Sequence, residues 1–145
     1  MRKIISLLLV AVMLLSSFAG LQVTAAAETG GSCGEHVTWS LNTETGVLTI
    51  SGSGPMYHYN RDDVYNPFSN NKDIKKLVVE EGVTTIGIAA FSGCTALQEI
   101  VLSDTVEEIG ENSFDNCDEL TVFKPGAGLK SIGENAFYCC SRLQD

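Results

Sequence analysis

The most reactive side chains in this sequence are five cysteines and two histidines. Cysteine beside histidine can form a nucleophilic pair, and both residue types bind zinc. The spacing does not fit either use, because no two cysteines stand in a Cys-x-x-Cys pair and His36 and His58 lie outside any ligand-like pattern. No carboxylate pair with a catalytic spacing is evident either. We therefore expect no catalytic residue, no metal site and no cofactor.

The cysteines are better explained as structural residues. Their number is odd, so in an oxidising compartment at least one thiol has no partner within the chain. Cys94, Cys117 and Cys140 recur in phase with apolar residues, which predicts buried thiols rather than nucleophiles. A disulfide between neighbours in this set could form in principle, but stacked side chains that point in parallel disfavour it. Cys139 is expected to be exposed.

A glycine-rich stretch and a tyrosine-rich stretch follow one another before the middle of the chain. Gly52-Ser53-Gly54 resembles part of a dinucleotide loop, but Tyr57 stands where the third glycine is needed, so a turn closed by Pro55 is the better interpretation. Tyr57, Tyr59 and Tyr65 are candidate ligand-binding residues, because their rings could stack on a sugar or anchor a peptide. The alternative is that the rings cover the junction with the segment that follows.

That following segment repeats itself every 23 residues. Ile86, Ile109 and Ile132 stand at this interval, and each is followed by glycine. The same interval relates Phe91, Phe114 and Phe137; Cys94, Cys117 and Cys140; Leu97, Leu120 and Leu143; and Val83, Val106 and Leu129. Such repetition indicates that each unit is one coil of a solenoid in which equivalent side chains stack in a shared core.

Each unit has a predictable local structure. Leu97 to Leu102 ends in apolar alternation, which predicts a short strand, and Thr105 to Gly110 predicts a second one. Ala89 to Cys94 is expected to form a single helical turn before the strand. The recurrent glycine fits a bend that needs a positive φ angle or a close approach of backbone.

The pattern Val-x-x-Ile-Gly-x-x-Ala-Phe-x-x-Cys-x-x-Leu-x-x-Ile-x-Leu, nearly complete from Val83 to Leu102, resembles the BspA-type leucine-rich repeat. The second copy departs from it at Ser113 and at Phe123-Lys124-Pro125, where proline should weaken or end the strand. The resemblance covers residues 68–145 and implies a β-rich leucine-rich-repeat solenoid, a right-handed superhelix of 23-residue repeats. It also implies a secreted or cell-surface protein that mediates adhesion and protein binding.

A β-hairpin is predicted ahead of the repeats. His36 to Leu41 alternates, Asn42 to Gly46 is rich in turn formers, and Val47 to Ser51 alternates again. This stretch is similar to the segment that commonly precedes such repeats. Residues 28–67 are therefore interpreted as an N-terminal cap that places Trp39 against the first coil, whose apolar face would otherwise meet water.

The first 27 residues have the features of a signal peptide. A basic start at Arg2 and Lys3 precedes an apolar stretch from Ile4 to Leu21, and Ala25 to Ala27 supplies small residues for cleavage after Ala27. Contact with a membrane is expected only through this segment before cleavage. The remaining chain has 18 acidic and 9 − 2 = 7 basic side chains, a net charge of −11, so nucleic acid is a poor partner.

The expected binding surface is the outward side of the repeat strands. Lys76, Glu99 and Val122 fall in one set of equivalent outward positions, and Val78, Val101 and Lys124 fall in the next. These residues differ between repeats while the core positions recur, which suits recognition of a protein or glycan, although an ordinary solvated sheet face is the alternative. The rival functional interpretation is a non-catalytic accessory domain of a larger secreted enzyme.

The last repeat is expected to be incomplete. The chain stops at Gln144-Asp145, positions that lead directly into a strand in the earlier copies. The final core layer around Phe137 and Leu143 should then be open to water, and a strand edge should be unpaired.

Overall fold

The computed structural model describes residues 28–59 and 65–144, so the predicted signal peptide lies outside the described residues. The described residues form short strands and contain no helix. The strands are β1 (Glu28–Ser32), β2 (Val37–Asn42), β3 (Val47–Gly52), β4 (Gly54–Pro55), β5 (Lys76–Val79), β6 (Val83–Ile86), β7 (Glu99–Leu102), β8 (Glu108–Ile109), β9 (Val122–Lys124) and β10 (Ser131–Ile132).

The strands are arranged in two sheets. The larger has the order β1-β2-β3-β5-β7-β9, and the smaller has the order β10-β8-β6-β4. β5, β7 and β9 are parallel, and so are β6, β8 and β10. Their registers join residues one sequence interval apart, such as Lys76 with Glu99 and Ile86 with Ile109. Parallel strands that return at a constant offset bring equivalent residues of successive units side by side.

The predicted hairpin is present. β2 and β3 are antiparallel with Trp39 opposite Ile50, and β3 is parallel to β5, so the hairpin continues the larger sheet. β1 adds an antiparallel strand beside β2 that the sequence did not predict, and Gly31 faces Trp39 there. The Trp39 ring meets Phe68 edge-on at 5.5 Å between centroids. The hairpin thus packs on the first apolar layer that follows it.

Phenylalanine rings from successive units form a stack through the hydrophobic core. The centroids of Phe68 and Phe91 are 5.0 Å apart, those of Phe91 and Phe114 are 5.4 Å apart, and those of Phe114 and Phe137 are 5.3 Å apart. The last two pairs are nearly parallel, with interplanar angles of 9° and 16°. The rings repeat at this spacing because successive units are separated by about the distance between neighbouring strands. At that distance one aromatic ring packs well on an equal ring of the next unit.

The predicted helical turn before each strand is wrong. The segment from Ala89 to Cys94 consists of tight turns, with Ala89 at φ 53° and Gly93 at φ 75°. A right-handed helix cannot include these left-handed positions. The backbone N–H groups are used between units instead: Ala89 donates to the carbonyl of Glu111 at 2.9 Å and Phe91 donates to that of Ser113 at 2.7 Å. Apolar spacing alone did not distinguish the two arrangements.

The recurrent glycine is required by close approach rather than by a positive φ angle. A Cβ atom added to Gly110 would lie 2.7 Å from the Ile88 nitrogen of the preceding unit. An added Cβ at Gly133 would lie 2.5 Å from the Glu111 nitrogen. Any side chain at these positions would hold neighbouring units apart.

The last unit is the least buried. Phe91, Phe114, Cys94 and Cys117 are buried as predicted, but Phe137 and Cys140 are only partly buried. The predicted burial of Ile132 is wrong, since this side chain is 51% exposed. Among the described residues no strand pairs with the side of β10 that faces away from β8, so Ile132 is covered on one side only. β9 ends directly before Pro125, as predicted for this copy.

Candidate functional site

The larger sheet gathers the six predicted strand residues on its outer side. Along β5 and β7 the inward residues are Leu77, Val79, Ile100 and Leu102, all buried. Residues between them in sequence point outward, because successive side chains of a strand alternate in direction. The register places Lys76, Glu99 and Val122 in one row and Val78, Val101 and Lys124 in the adjacent row. We call these six residues the outer face.

Two ion pairs tie the outer face together across three strands. The ammonium of Lys76 lies 3.0 Å from one carboxylate oxygen of Glu99, and that of Lys124 lies 2.7 Å from the other. Hydrogen bonds from Lys124 and then from Lys76 lower the pKa of Glu99. The carboxylate therefore stays ionised, and two lysines share its single charge. A local excess of positive charge remains on a protein that is acidic as a whole.

The outer face continues onto the hairpin, which sequence reasoning missed. Val47 is paired with Lys76 and Thr49 with Val78, so both extend the two rows by one strand. Ser40 on β2 is paired with Thr49 and extends the second row again. The alternating pattern of β2 and β3 in the sequence predicts which of these side chains point outward. It does not predict that β3 pairs in parallel with β5, the first strand of the repeats.

The three tyrosines are not equivalent. Tyr57 is 43% exposed and Tyr65 is 88% exposed, so both rings are accessible. Tyr59 is buried and its ring meets Phe68 edge-on at 6.1 Å. Burial, and then the nearby Cys33 and Tyr57, raise the pKa of Tyr59, so its phenol stays protonated. A platform of three stacking rings is therefore wrong for Tyr59, which lines the core beside the hairpin instead.

The five cysteines are free thiols, and all except Cys139 lie in or against the hydrophobic core. The thiol of Cys94 donates to the Phe68 carbonyl at 3.1 Å, and that of Cys140 donates to the Phe114 carbonyl at 3.2 Å. Burial raises the pKa of Cys94 to about 12. A hydrogen bond with Cys140, followed by burial, also raises the pKa of Cys117. Cys139 is exposed, as expected.

Buried thiols that stay protonated, such as those of Cys94 and Cys117, are poor nucleophiles and poor metal ligands, because the thiolate is the reactive form. No cluster of three potential metal-binding side chains occurs within residues 28–59 and 65–144. In the same part of the chain, no helix has the length and hydrophobicity of a membrane span.

The repeat pattern has a clear family match. Residues 65–145 match the model of the BspA type Leucine rich repeat region (6 copies). The chain belongs to the BspA-type leucine-rich repeat family. No curated protein matches the sequence.

Two solved structures are similar to this chain. One is a leucine-rich repeat protein from Eubacterium ventriosum, with 23% identity and a TM-score of 0.58 over 78% of this chain and 36% of that protein. The other is the leucine-rich repeat protein of T. pallidum, with 23% identity and a TM-score of 0.49 over 72% of this chain and 44% of that protein. The first likeness shows a leucine-rich-repeat fold. The chain spans about a third of the length of that relative.

Proposed function

We propose that this protein is a secreted or cell-surface binding module, non-catalytic, that recognises a protein or glycan through its outer face. The observation that carries the proposal is the contrast between the two sides of the larger sheet. Its inward positions repeat the same apolar types, such as Leu77 and Ile100, whereas the outward positions change from lysine to glutamate to valine. A constant core with a varied surface suits recognition by a repeat protein.

The proposal includes a solenoid for residues 68–145, coiling as a right-handed superhelix with one 23-residue repeat per turn. The constant offset between Lys76 and Glu99, and again between Glu99 and Val122, supports this arrangement. Residues 28–67 would be its N-terminal cap. The contact between Trp39 and Phe68 supports that role, because a first repeat without a cap leaves its apolar layer open to water.

The outer face favours a partner with acidic groups. Two lysines share one carboxylate, and Val78, Val101 and Val122 supply apolar area between and beside the charges. Electrostatic complementarity at such a surface increases the association rate and orients the partner. An acidic glycan or an acidic patch on an extracellular protein has this chemistry.

Export is the second part of the proposal. The family resemblance and the composition of residues 1–27 support it, and cleavage after Ala27 would leave a protein that begins at Glu28. Expression in a bacterial host with the native leader, followed by mass spectrometry of the culture medium, tests this. A mass that corresponds to the chain from Glu28 is expected, and retention of the uncleaved protein inside the cell would contradict export.

The binding role is tested with Val101→Glu on the outer face and Tyr138→Glu as the control. Each substitution adds one negative charge, at the partly exposed Val101 or at the exposed Tyr138, and Tyr138 lies in a turn away from the outer face. Both proteins are measured by biolayer interferometry against immobilised acidic glycans and purified extracellular-matrix proteins. Val101→Glu should reduce affinity at least tenfold, whereas Tyr138→Glu should retain it. Equal affinity of the two variants would contradict an outer-face site.

A further inference from the structure

A polar pocket lies on the turn side of the repeats, away from the outer face. Its volume is about 300 Å³. Ala89 and Ser92 of one unit form one side, and Glu111, Asn112 and Asp115 of the next unit form the other. Tyr59, from the segment after the hairpin, completes the wall. None of the six outer-face residues lines this pocket.

The pocket exists because one unit has smaller side chains than the unit that follows it. Asn112 and Asn135 occupy equivalent positions at φ 53° and 55°, where asparagine is favoured. Ala89 has the same backbone conformation at φ 53° but lacks the amide. Three residues later the small Ser92 stands where the next unit has Asp115. The two smaller side chains leave open the space that larger ones would fill.

The walls of this pocket present hydrogen-bond acceptors and negative charge. One carboxylate oxygen of Asp115 is buried without a hydrogen-bond partner. The hydroxyl of Tyr59 is likewise buried without a partner, in a side chain that is only 4% exposed. Glu111 accepts one hydrogen bond, from the Asn112 amide at 3.0 Å. The described lining residues include no lysine, arginine or histidine.

A carboxylate oxygen that is buried without a hydrogen bond is costly, and a cationic hydrogen-bond donor satisfies it best. The Tyr59 hydroxyl can accept a further hydrogen bond from the same group. A metal ion fits less well, because the described residues hold no cluster of three metal-binding side chains and the volume far exceeds that of one ion. A guanidinium or alkylammonium group supplies several donors and one positive charge, and its alkyl stem occupies the remaining space.

We infer that the pocket between Tyr59, Ala89 and Asp115 binds a guanidinium or ammonium group, either of a small free amine or of a basic side chain in a polypeptide. This site is separate from the outer face and does not depend on the proposed function. It would add a second recognition point that shares no residue with the outer face.

The direct test is a titration of the purified ¹⁵N-labelled protein with N-acetyl-arginine amide, followed by NMR. The matched neutral probe is N-acetyl-citrulline amide, which has the same shape without the charge. A ligand of this size should bind with a dissociation constant of about 1 mM. Chemical-shift changes should centre on the amides of Ala89, Asn112 and Asp115. Equal binding of the two probes would overturn the inference.

Ethylguanidinium separates the two sources of the cation. Tighter binding of N-acetyl-arginine amide than of ethylguanidinium indicates a site for a side chain within a polypeptide. Equal or tighter binding of ethylguanidinium indicates a site for a free small amine. Both results support a cation pocket, whereas no binding of either compound excludes it.

Two variants decide whether the pocket is the binding site. Ala89→Asn places the asparagine of the other units at the same φ angle, so the fold should be kept while the pocket is filled. Asp115→Asn removes the half-buried carboxylate, and Asp118→Asn is its control, with the same charge change at an exposed position. Ala89→Asn and Asp115→Asn should each weaken binding of N-acetyl-arginine amide at least tenfold, and Asp118→Asn should change it less than twofold. Retained binding by a folded Ala89→Asn protein would refute the site.

Discussion

Phe114 is the residue on which the core stack depends most. It contacts Phe91 on one side and Phe137 on the other, and its side chain is fully buried. Truncation removes both ring contacts and leaves a cavity that the flanking rings cannot fill, because each is held by its own strand and turn.

We expect Phe114→Ala to lower the free energy of unfolding by about 3 to 5 kcal/mol. The measurement is urea unfolding followed by circular dichroism. Tyr138→Ala serves as the control, since Tyr138 is 62% exposed and its loss should cost less than about 0.5 kcal/mol. Similar losses in both variants would show that the ring stack does not hold the units together.

The buried thiol of Cys94 makes stability depend on alkaline pH. Its pKa is about 12 in the folded protein and returns to about 9 when unfolding exposes it. Between these values the unfolded chain releases the proton and the folded chain keeps it. The stabilising contribution is therefore complete below about pH 9 and is lost as the pH rises towards 12.

We expect the free energy of unfolding to fall between pH 9 and 11, with Cys94 contributing about 1.4 kcal/mol per pH unit. Cys94→Ala should show a correspondingly shallower decline in urea unfolding at pH 8, 9, 10 and 11. Replacing the exposed Cys139 by alanine should leave the slope as it is. An unchanged slope in Cys94→Ala would mean that the thiol is not buried in solution.

At the scale of the element, the turn between strands is set by how closely successive units approach. A Cβ atom added to Gly110 would lie within 3 Å of backbone atoms of Gly87 and Ile88. Gly54, by contrast, has φ 95° and open space around the same position. The two glycines separate the effect of crowding from that of backbone conformation.

Gly110→Ala should therefore destabilise the protein by more than Gly54→Ala, for which strain alone predicts about 1 to 2 kcal/mol. The added methyl group at Gly110 meets backbone atoms, which cannot move without breaking the hydrogen bonds between units. Thermal unfolding of both variants gives the comparison. Equal losses would show that close approach is not the reason for glycine at this position.

The sequence predicts the elements in which apolar residues recur at a regular interval. It does not predict the elements whose conformation is determined by contacts between backbone atoms. Recurrence of Phe91 and Phe114 predicted the buried stack, and alternation predicted β2 and β3. β1 has no such signal: Gly30 and Gly31 are selected by the space beside Trp39. The turns beginning at Ala89 use hydrogen bonds to the next unit, which a helical pattern of apolar residues does not reveal.

The same distinction applies to the candidate sites. Alternation gave the outer face by residue type and position, including the row that contains Val78 and Val101. The shared carboxylate of Glu99 and the extension onto Thr49 needed the parallel register. The pocket at Ala89 needed the left-handed backbone angle, because only then does a missing asparagine side chain become an open space.

At the scale of the whole molecule, a polypeptide of residues 28–145 has a surface prone to association at its last unit. In the described residues, β9 and β10 each pair on one side only. Val122 is 37% exposed and Ile132 is 51% exposed beside these free edges. An open strand edge with apolar side chains is a template for pairing with another chain. The net charge of −11 for the chain from Glu28 opposes that pairing by mutual repulsion.

We therefore expect a polypeptide of residues 28–145 to self-associate more strongly as salt rises, because screening removes the repulsion and leaves the apolar contact. Sedimentation velocity at 50 mM and 500 mM NaCl, over a hundredfold range of protein concentration, measures this. Ile132→Lys places a charge at the free edge of β10 and should shift the polypeptide towards monomer at both salt concentrations. The control is Thr49→Lys, which places the same charge on the outer side of the interior strand β3 and should not change the association. A monomer under all these conditions would mean that the exposed edges of β9 and β10 do not pair with a second chain. The apolar surface beside these edges would then be too small or too curved to hold two chains together.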